Sequence, residues 1–188
     1  MREQPKIIFA GPVGAGKTSA ISALSDTPMV STNVQASDMT LNRKEQTTVA
    51  MDYGTLHLDA QTKIHLYGTP GQERFDFMWE ILAQGGLGLV LLLDNTRPHP
   101  KKDLHFFLHA FKEYIARVPV VIGIVKTDIQ RHPTPADYAQ MLPEITRDLE
   151  MLNPVPPIFE IDGRRKEDIQ QIVMALLYAI DTDIDVVL

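Results

Sequence analysis

Strand-like and helix-like segments alternate along this 188-residue chain. The alternation predicts an α/β fold, a three-layer, doubly wound, mostly parallel sheet with one antiparallel edge hairpin. Three observations carry the prediction. Leu87–Asp94 and Val118–Val125 are continuous apolar runs of strand length, the pattern of parallel strands covered on both faces. Between them, Leu104, Phe107, Leu108, Phe111 and Ile115 recur with helical spacing. Near the start, a glycine-rich turn separates the apolar run KIIFA from a helix-like segment.

Taken in order, Lys6–Ala10 reads as a buried strand and Lys17–Leu24 as the helix after the turn. Ser25–Gln46 is polar and has no clear period, a length that a compact domain tolerates only as a functional loop. Thr48–Leu58 and Lys63–Tyr67 alternate well enough to be two strands of a hairpin around Asp59–Thr62. Phe75, Phe77, Met78 and Trp79 form an apolar cluster expected to start a helix and pack in the core, any exposed part being a patch for a partner. Asn95–Lys102, after the Leu87–Asp94 strand, is expected to be a Pro- and Lys-bearing loop with no further role. Lys101–Arg117 follows as a helix, and Ala136–Leu152 as a weaker one that Pro143 should kink or break. Pro157–Ile161 is a last short strand, and Lys166–Ile180 a closing amphipathic helix. With no repeat, low-complexity tract or linker, residues 1–188 are expected to form one domain.

Composition narrows the function classes. A hydrophobic share of 44% and a charged share of 22% are ordinary for a globular chain. The net charge of -6, with no basic cluster or tail to offset it, argues against nucleic acid and against anionic membrane surfaces. The absence of cysteine excludes disulfides, thiolate chemistry, cysteine-held zinc and prenylation, and is compatible with a reducing cytosol. The N-terminal MREQPK has no signal-peptide core, and the longest apolar run, Leu87–Leu93, is too short to span a bilayer. A cytoplasmic location without an intrinsic membrane anchor is therefore expected. The histidines show no H-E-x-x-H spacing, so no zinc site is expected.

The chemistry begins at GPVGAGKTSA, Gly11–Ala20, whose G-x-x-x-x-G-K-T spacing lies between a predicted strand and a predicted helix. Gly11, Gly14 and Gly16 let the backbone turn tightly and aim N–H groups inward, and the helix opening at Lys17 adds its positive end, so the loop suits a phosphate. Lys17 is placed to reach the outer phosphates and the Thr18 hydroxyl to ligate Mg²⁺. Ala15 and Ser19 complete the nucleotide-binding set in this stretch.

Three further strings resemble motifs of Ras-like small GTPases. LYGTPGQERF, Leu66–Phe75, resembles the D-x-x-G-Q switch segment. TVAMDY, from Thr48, is similar to the pattern in which a switch threonine precedes a strand. IVKTDIQ, Ile124–Gln130, resembles the base-reading [NT]-K-x-D. The resemblance covers Lys6 to about Asp181, and T-V-A-M-D-Y-G with G-T-P-G-Q-E-R-F is most similar to the bacterial MglA-like and conservon-associated GTP-binding proteins. It implies the following roles. GTP or GDP binds with Mg²⁺; Gly71 donates its N–H to the γ-phosphate; Gln72 orients the attacking water; Thr48 closes over metal and phosphate; Lys17 stabilises charge. Asp128 accepts from the guanine N1–H and 2-amino group, the stem of Lys126 lies across the base, and Asp162 and Gly163 occupy the loop that touches guanine O6. The implied function is a GTPase, slow unless assisted, that signals its nucleotide state to regulator and effector proteins, Roadblock-type proteins among them. A nucleotide-binding adaptor with little hydrolysis, and a P-loop kinase or ATPase, are the competing readings.

The chain departs from the small-GTPase pattern at three positions. Gly68 stands where an Asp normally holds Mg²⁺ through a water; Asp52 on the neighbouring strand is the candidate substitute, the competing reading being that it only serves the strand end. Val125 replaces the Asn or Thr whose side chain braces the phosphate and base loops, a loss of about 1 kcal/mol. Val13 puts a side chain where it can crowd Gln72 or an incoming arginine, which points to slow hydrolysis; Arg43 and Arg74 are the candidate fingers in cis.

Overall fold

The structure, a computed structural model, describes residues 5–35, 48–59, 61–71 and 76–182. Ile7, Ile8, Phe9 and Ala10 are each 0% exposed, so β1 (Lys6–Ala10) is covered on both faces, as a central parallel strand must be. Parallel to it run β4 (Lys63–Gly68) on one side and β5 (Gly86–Asp94) on the other. Beyond β5 lie β6 (Val120–Val125) and β7 (Ile158–Glu160), also parallel. Beyond β4 lie β3 (Thr48–His57) and then β2 (Val30–Gln35), each antiparallel to its neighbour. The sheet therefore has seven strands in the order β2-β3-β4-β1-β5-β6-β7.

Alternation along the central strands divides the core in two. Ile7, Phe9, Val90 and Leu92 face α1 (Lys17–Leu24) and α6 (Lys166–Thr182), packing on Ile21, Leu24, Ile172 and Leu176. Ile8, Leu89, Leu91 and Leu93 face the other layer: α2 (Asp76–Ala83), α3 (Pro100–Ala110), the short α4 (Lys112–Ile115) and α5 (Pro135–Ile145). Trp79 of α2 stacks on Phe107 and Phe111 there and is 1% exposed, so it is a core residue and not a partner patch. Among the described residues no helix is long and apolar enough to cross a membrane.

The three-layer doubly wound sheet is as the sequence predicts, with corrections at its margin. The hairpin of β3 and β4 is not the edge, because Val30–Gln35, read from sequence as part of an irregular loop, adds β2 outside it. The predicted helix Lys101–Arg117 breaks at Phe111, which caps α3 and begins the turn into α4. Pro143 sits inside α5 without ending it at once; the helix stops at Ile145, well short of Leu152. Leu152 instead returns its N–H to the Ile115 carbonyl at 2.9 Å. All five parallel strands deliver their carboxyl ends to one rim of the sheet, the side on which open α/β sheets bind ligands.

Candidate functional site

The loop from Gly11 to Gly16 links β1 to α1, with positive φ at Gly11, Gly14 and Gly16 turning the chain back on itself. Ala15 is 0% exposed and its N–H closes the turn onto the Pro12 carbonyl at 3.2 Å. Lys17, 7% exposed, donates from Nζ to the carbonyls of Gly11 at 2.6 Å and Pro12 at 2.8 Å. A cation is thus held at the mouth of a loop of inward backbone dipoles, beside a helix N-terminus, where an anionic phosphate is electrostatically favoured.

Gly71 meets this loop from the far side. A Cβ at that position would lie 2.6 Å from the Val13 nitrogen and 2.8 Å from Lys17 Nζ, so only glycine brings the backbone this close. The approach is fixed from below. Thr69 donates its N–H to the Phe9 carbonyl at 2.9 Å, and the Trp79 indole donates to the Pro70 carbonyl at 3.0 Å. Trp79, read from sequence only as a core residue, therefore also anchors the glycine turn. Val13 is 58% exposed beside it. Gln72, Arg43 and Arg74 lie outside the described residues, as do Phe75 and the side chains of Phe77 and Thr48.

Burial lowers the Lys17 pKa to about 8, partly opposed by the Asp52 charge. A phosphate beside Nζ favours the ammonium form, so binding leaves protonation unchanged below that pKa and takes up a proton above it. Phosphate-ligand affinity should consequently be flat near neutrality and fall as pH rises through about 8, by up to tenfold per unit. Calorimetry with GDP in two buffers of different ionisation heat should show proton uptake at about pH 8.5 and none at about pH 7. Identical heats in both buffers at the higher pH would rule out the Lys17 contribution.

Thr18 and Asp52 come together although they are far apart in sequence. Thr18 Oγ1 donates to Asp52 Oδ2 at 2.5 Å, and Ser31 Oγ donates to Oδ1 at 3.0 Å. Asp52 on β3 pairs with Gly68 on β4, and a Cβ at Gly68 would lie 3.1 Å from Asp52 Cβ and 3.0 Å from Ile21 Cδ1. A carboxylate at 68 would thus compete for the space that Asp52 fills, which accounts for the glycine. A hydroxyl and a carboxylate beside the phosphate loop are hard oxygen donors, a set that fits Mg²⁺ completing its shell with phosphate oxygens and waters. Among the described residues no group of three or more His, Asp or Glu side chains is placed to hold a metal.

The base side is assembled from three loops. Gly14, Gly16 and Ser19 of the phosphate loop, Lys126–Asp128 after β6, and Asp162–Arg164 after β7 line one open pocket of about 520 Å³. Asp128 is exposed at its wall and makes no hydrogen bond or ion pair among the described residues. Asp162 is already engaged: its N–H goes to Asp168 Oδ2 at 2.8 Å, and its carboxylate takes a two-pronged contact from Arg164 at 2.9 and 2.7 Å. Those bonds from Arg164 hold the Asp162 pKa down at about 2. Of the two residues predicted to lie at the base here, Gly163 keeps its amide unbonded among the described residues, and a Cβ there would lie 3.5 Å from the Gly16 carbonyl oxygen. Two residues that sequence reasoning passed over, Asp94 and Asn95, lie at the end of β5 against the Lys126 loop. Only their place at a parallel strand's carboxyl end could have marked them.

The family described as conserved hypothetical ATP-binding proteins matches residues 27–186, a span that starts beyond the phosphate loop and runs through the base-side loops. An uncharacterized protein of Methanocaldococcus jannaschii is 29% identical over 130 residues, 68% of this chain and 73% of that protein. Intraflagellar transport protein 22 of Chlamydomonas reinhardtii is 26% identical over 108 residues, 57% of this chain and 53% of that protein. This chain spans about half the length of the second relative.

Proposed function

We propose, from the premise that the chain belongs to the family of conserved hypothetical ATP-binding proteins, that it is a guanine-nucleotide switch: it binds GTP and GDP with Mg²⁺ and hydrolyses GTP slowly. The observation that carries the reading is the single pocket shared by the phosphate-loop glycines, Lys126 and Asp128. The family's description names ATP, and what favours guanine is the free carboxylate of Asp128. Guanine turns two donors, N1–H and the 2-amino group, toward that wall; adenine turns an acceptor there, which a carboxylate repels.

In this reading the phosphates lie along the Gly11–Gly16 backbone with Lys17 on the outer ones, and the Gly71 amide meets the γ-phosphate. Mg²⁺, held by Thr18 and Asp52, would neutralise phosphate charge when bound. Thr48 and Gln72 take the roles that the small-GTPase resemblance implies, the first closing over the γ-phosphate and the second orienting water. In the chain one switch segment runs directly into β3 and the other directly follows Gly71, so in this reading gain or loss of the γ-phosphate changes the surface a partner meets. The resemblance of TVAMDYG and GTPGQERF to MglA-like proteins is what supports regulator and effector proteins, Roadblock-type among them, as the readers of that surface.

Val13, exposed beside Gly71, favours a second reading, an adaptor that holds nucleotide and scarcely hydrolyses it. Single-turnover assays with radiolabelled GTP separate the two. The switch reading expects slow phosphate release that Gln72→Ala reduces further, whereas no release with or without candidate regulators would rule out the GTPase switch in favour of the adaptor.

A further inference from the structure

Asp94 and Asn95, the last residue of β5 and the one after it, grip opposite ends of the loop that carries Asp128. We propose that this dipeptide is a clamp that positions the base-reading loop and so sets how long a nucleotide stays bound. The proposal rests on the reading of Lys126–Asp128 as the base-binding segment and names what regulates it.

Asp94 is 4% exposed and takes the loop's beginning. Its Oδ2 accepts from Lys126 Nζ at 2.5 Å, while Oδ1 accepts from the Thr96 amide at 2.9 Å and the Thr96 hydroxyl at 2.6 Å. Burial alone would raise the Asp94 pKa, but the bonds from Lys126 and Thr96 outweigh it and keep the carboxyl below its ordinary range. Lys126 needs the hold. It is the one non-glycine residue with positive φ, 61°, among the described residues, a conformation that persists only where its surroundings impose it. The Lys126 carbonyl in turn accepts from the amides of Ile129 at 3.1 Å and Gln130 at 3.0 Å, so the turn bearing Asp128 closes on this residue.

Asn95 takes the loop's far end. It is 1% exposed, and its Nδ2 donates to the carbonyls of Gln130 at 2.7 Å and Pro133 at 3.0 Å. Its Oδ1 accepts from the Tyr138 hydroxyl at 2.9 Å, so both amide hydrogens and the oxygen are used. Its backbone N–H goes to the Val125 carbonyl at 3.1 Å. The clamp also touches the phosphate side. A Cβ at Gly14 would lie 3.8 Å from Asp94 Oδ2 and 3.9 Å from Lys126 Nζ, which seats the ion pair against the phosphate loop. Val125, whose side chain is buried in the core, cannot tie the two loops together; the Asp94–Lys126 pair does so one residue along.

The test compares wild type with Asp94→Leu, Asp94→Asn, which keeps the shape and one acceptor, and Asn95→Ala. Two readouts are taken on the full chain: amide hydrogen exchange of residues 126–133 without nucleotide, and release of fluorescent mant-GDP and mant-ADP. The expected result is faster exchange confined to that loop in all three variants. Release of the bound nucleotide should accelerate about ten- to a hundredfold in Asp94→Leu, the range of the one charge-assisted hydrogen bond by which Asp94 reaches the loop, that from Lys126, and less in Asp94→Asn. Adding Lys126→Met to Asp94→Leu should change release little further. Unchanged loop exchange, acceleration spread over the whole sheet, or unchanged release would overturn the clamp. A wild type that binds neither probe would instead overturn the nucleotide reading, with the exchange arm still reporting whether the loop is held.

Discussion

Replacing Asp128 with alanine should weaken GDP binding at least about a hundredfold without weakening ADP binding. The carboxylate stands exposed on the wall of the pocket with its oxygens unbonded among the described residues; the nearby Arg164 charge is committed to Asp162 and makes no bond to it. Guanine offers it two hydrogen bonds to a charged acceptor, each worth about 1.5–3 kcal/mol, and about 1.4 kcal/mol corresponds to a factor of ten. ADP gains no hydrogen bond from that carboxylate, so its binding should not weaken on substitution, and any change should be a gain from the repulsion removed. Titration calorimetry of wild type and variant with both diphosphates measures the difference directly. Equal losses for GDP and ADP would mean that Asp128 only shapes the loop.

Asp52→Ala should remove most of the Mg²⁺ dependence of GTP binding. Wild type is expected to bind GTP roughly ten- to a hundredfold more tightly with Mg²⁺ than with chelator, the range by which residues orienting a metal site change affinity, and the variant to show little difference. The cause is the shared position of Asp52, which accepts from both Thr18 and Ser31 and occupies the space in front of Gly68. Gly68→Asp alone sets a second carboxylate against the first and against Ile21, so it should destabilise the protein. Combined with Asp52→Ala it should recover part of the metal dependence, because the carboxylate then stands on the paired strand position. An Asp52→Ala protein with undiminished Mg²⁺ dependence would remove Asp52 from the metal site.

Legibility followed the range of the interactions. β1 and α1 have the bounds expected for them because an apolar run, a glycine turn and a lysine-led helix are all local signals. The phosphate-loop string is equally local, and Gly14, Gly16, Ser19, Lys126, Asp128, Asp162 and Gly163 line one pocket. β2 was poorly legible although Val30, Thr32 and Val34 alternate with Ser31, Asn33 and Gln35, because so short a pattern in a polar stretch is a weak signal and its hydrogen bonds come from β3 across a long intervening segment. The break at Phe111 was hidden for a different reason: the residue keeps the helical apolar period while its ring is drawn onto Trp79. Asn95 headed a stretch expected to have no role, yet its partners, Gln130, Pro133 and Tyr138, are all distant in the chain. Asp94 looked like the polar end of an apolar strand, and only the fold sets Lys126 against it. Asp52 fell between: the missing Asp at 68 pointed to it, and the antiparallel register shows why the two positions exchange.

The central claim is that this pocket reads guanine. Purified protein, denatured and its released nucleotide separated by chromatography, tests that claim without assuming a rate or a partner. The account predicts GDP, with some GTP if turnover is slow; release of ADP or ATP in its place would contradict it.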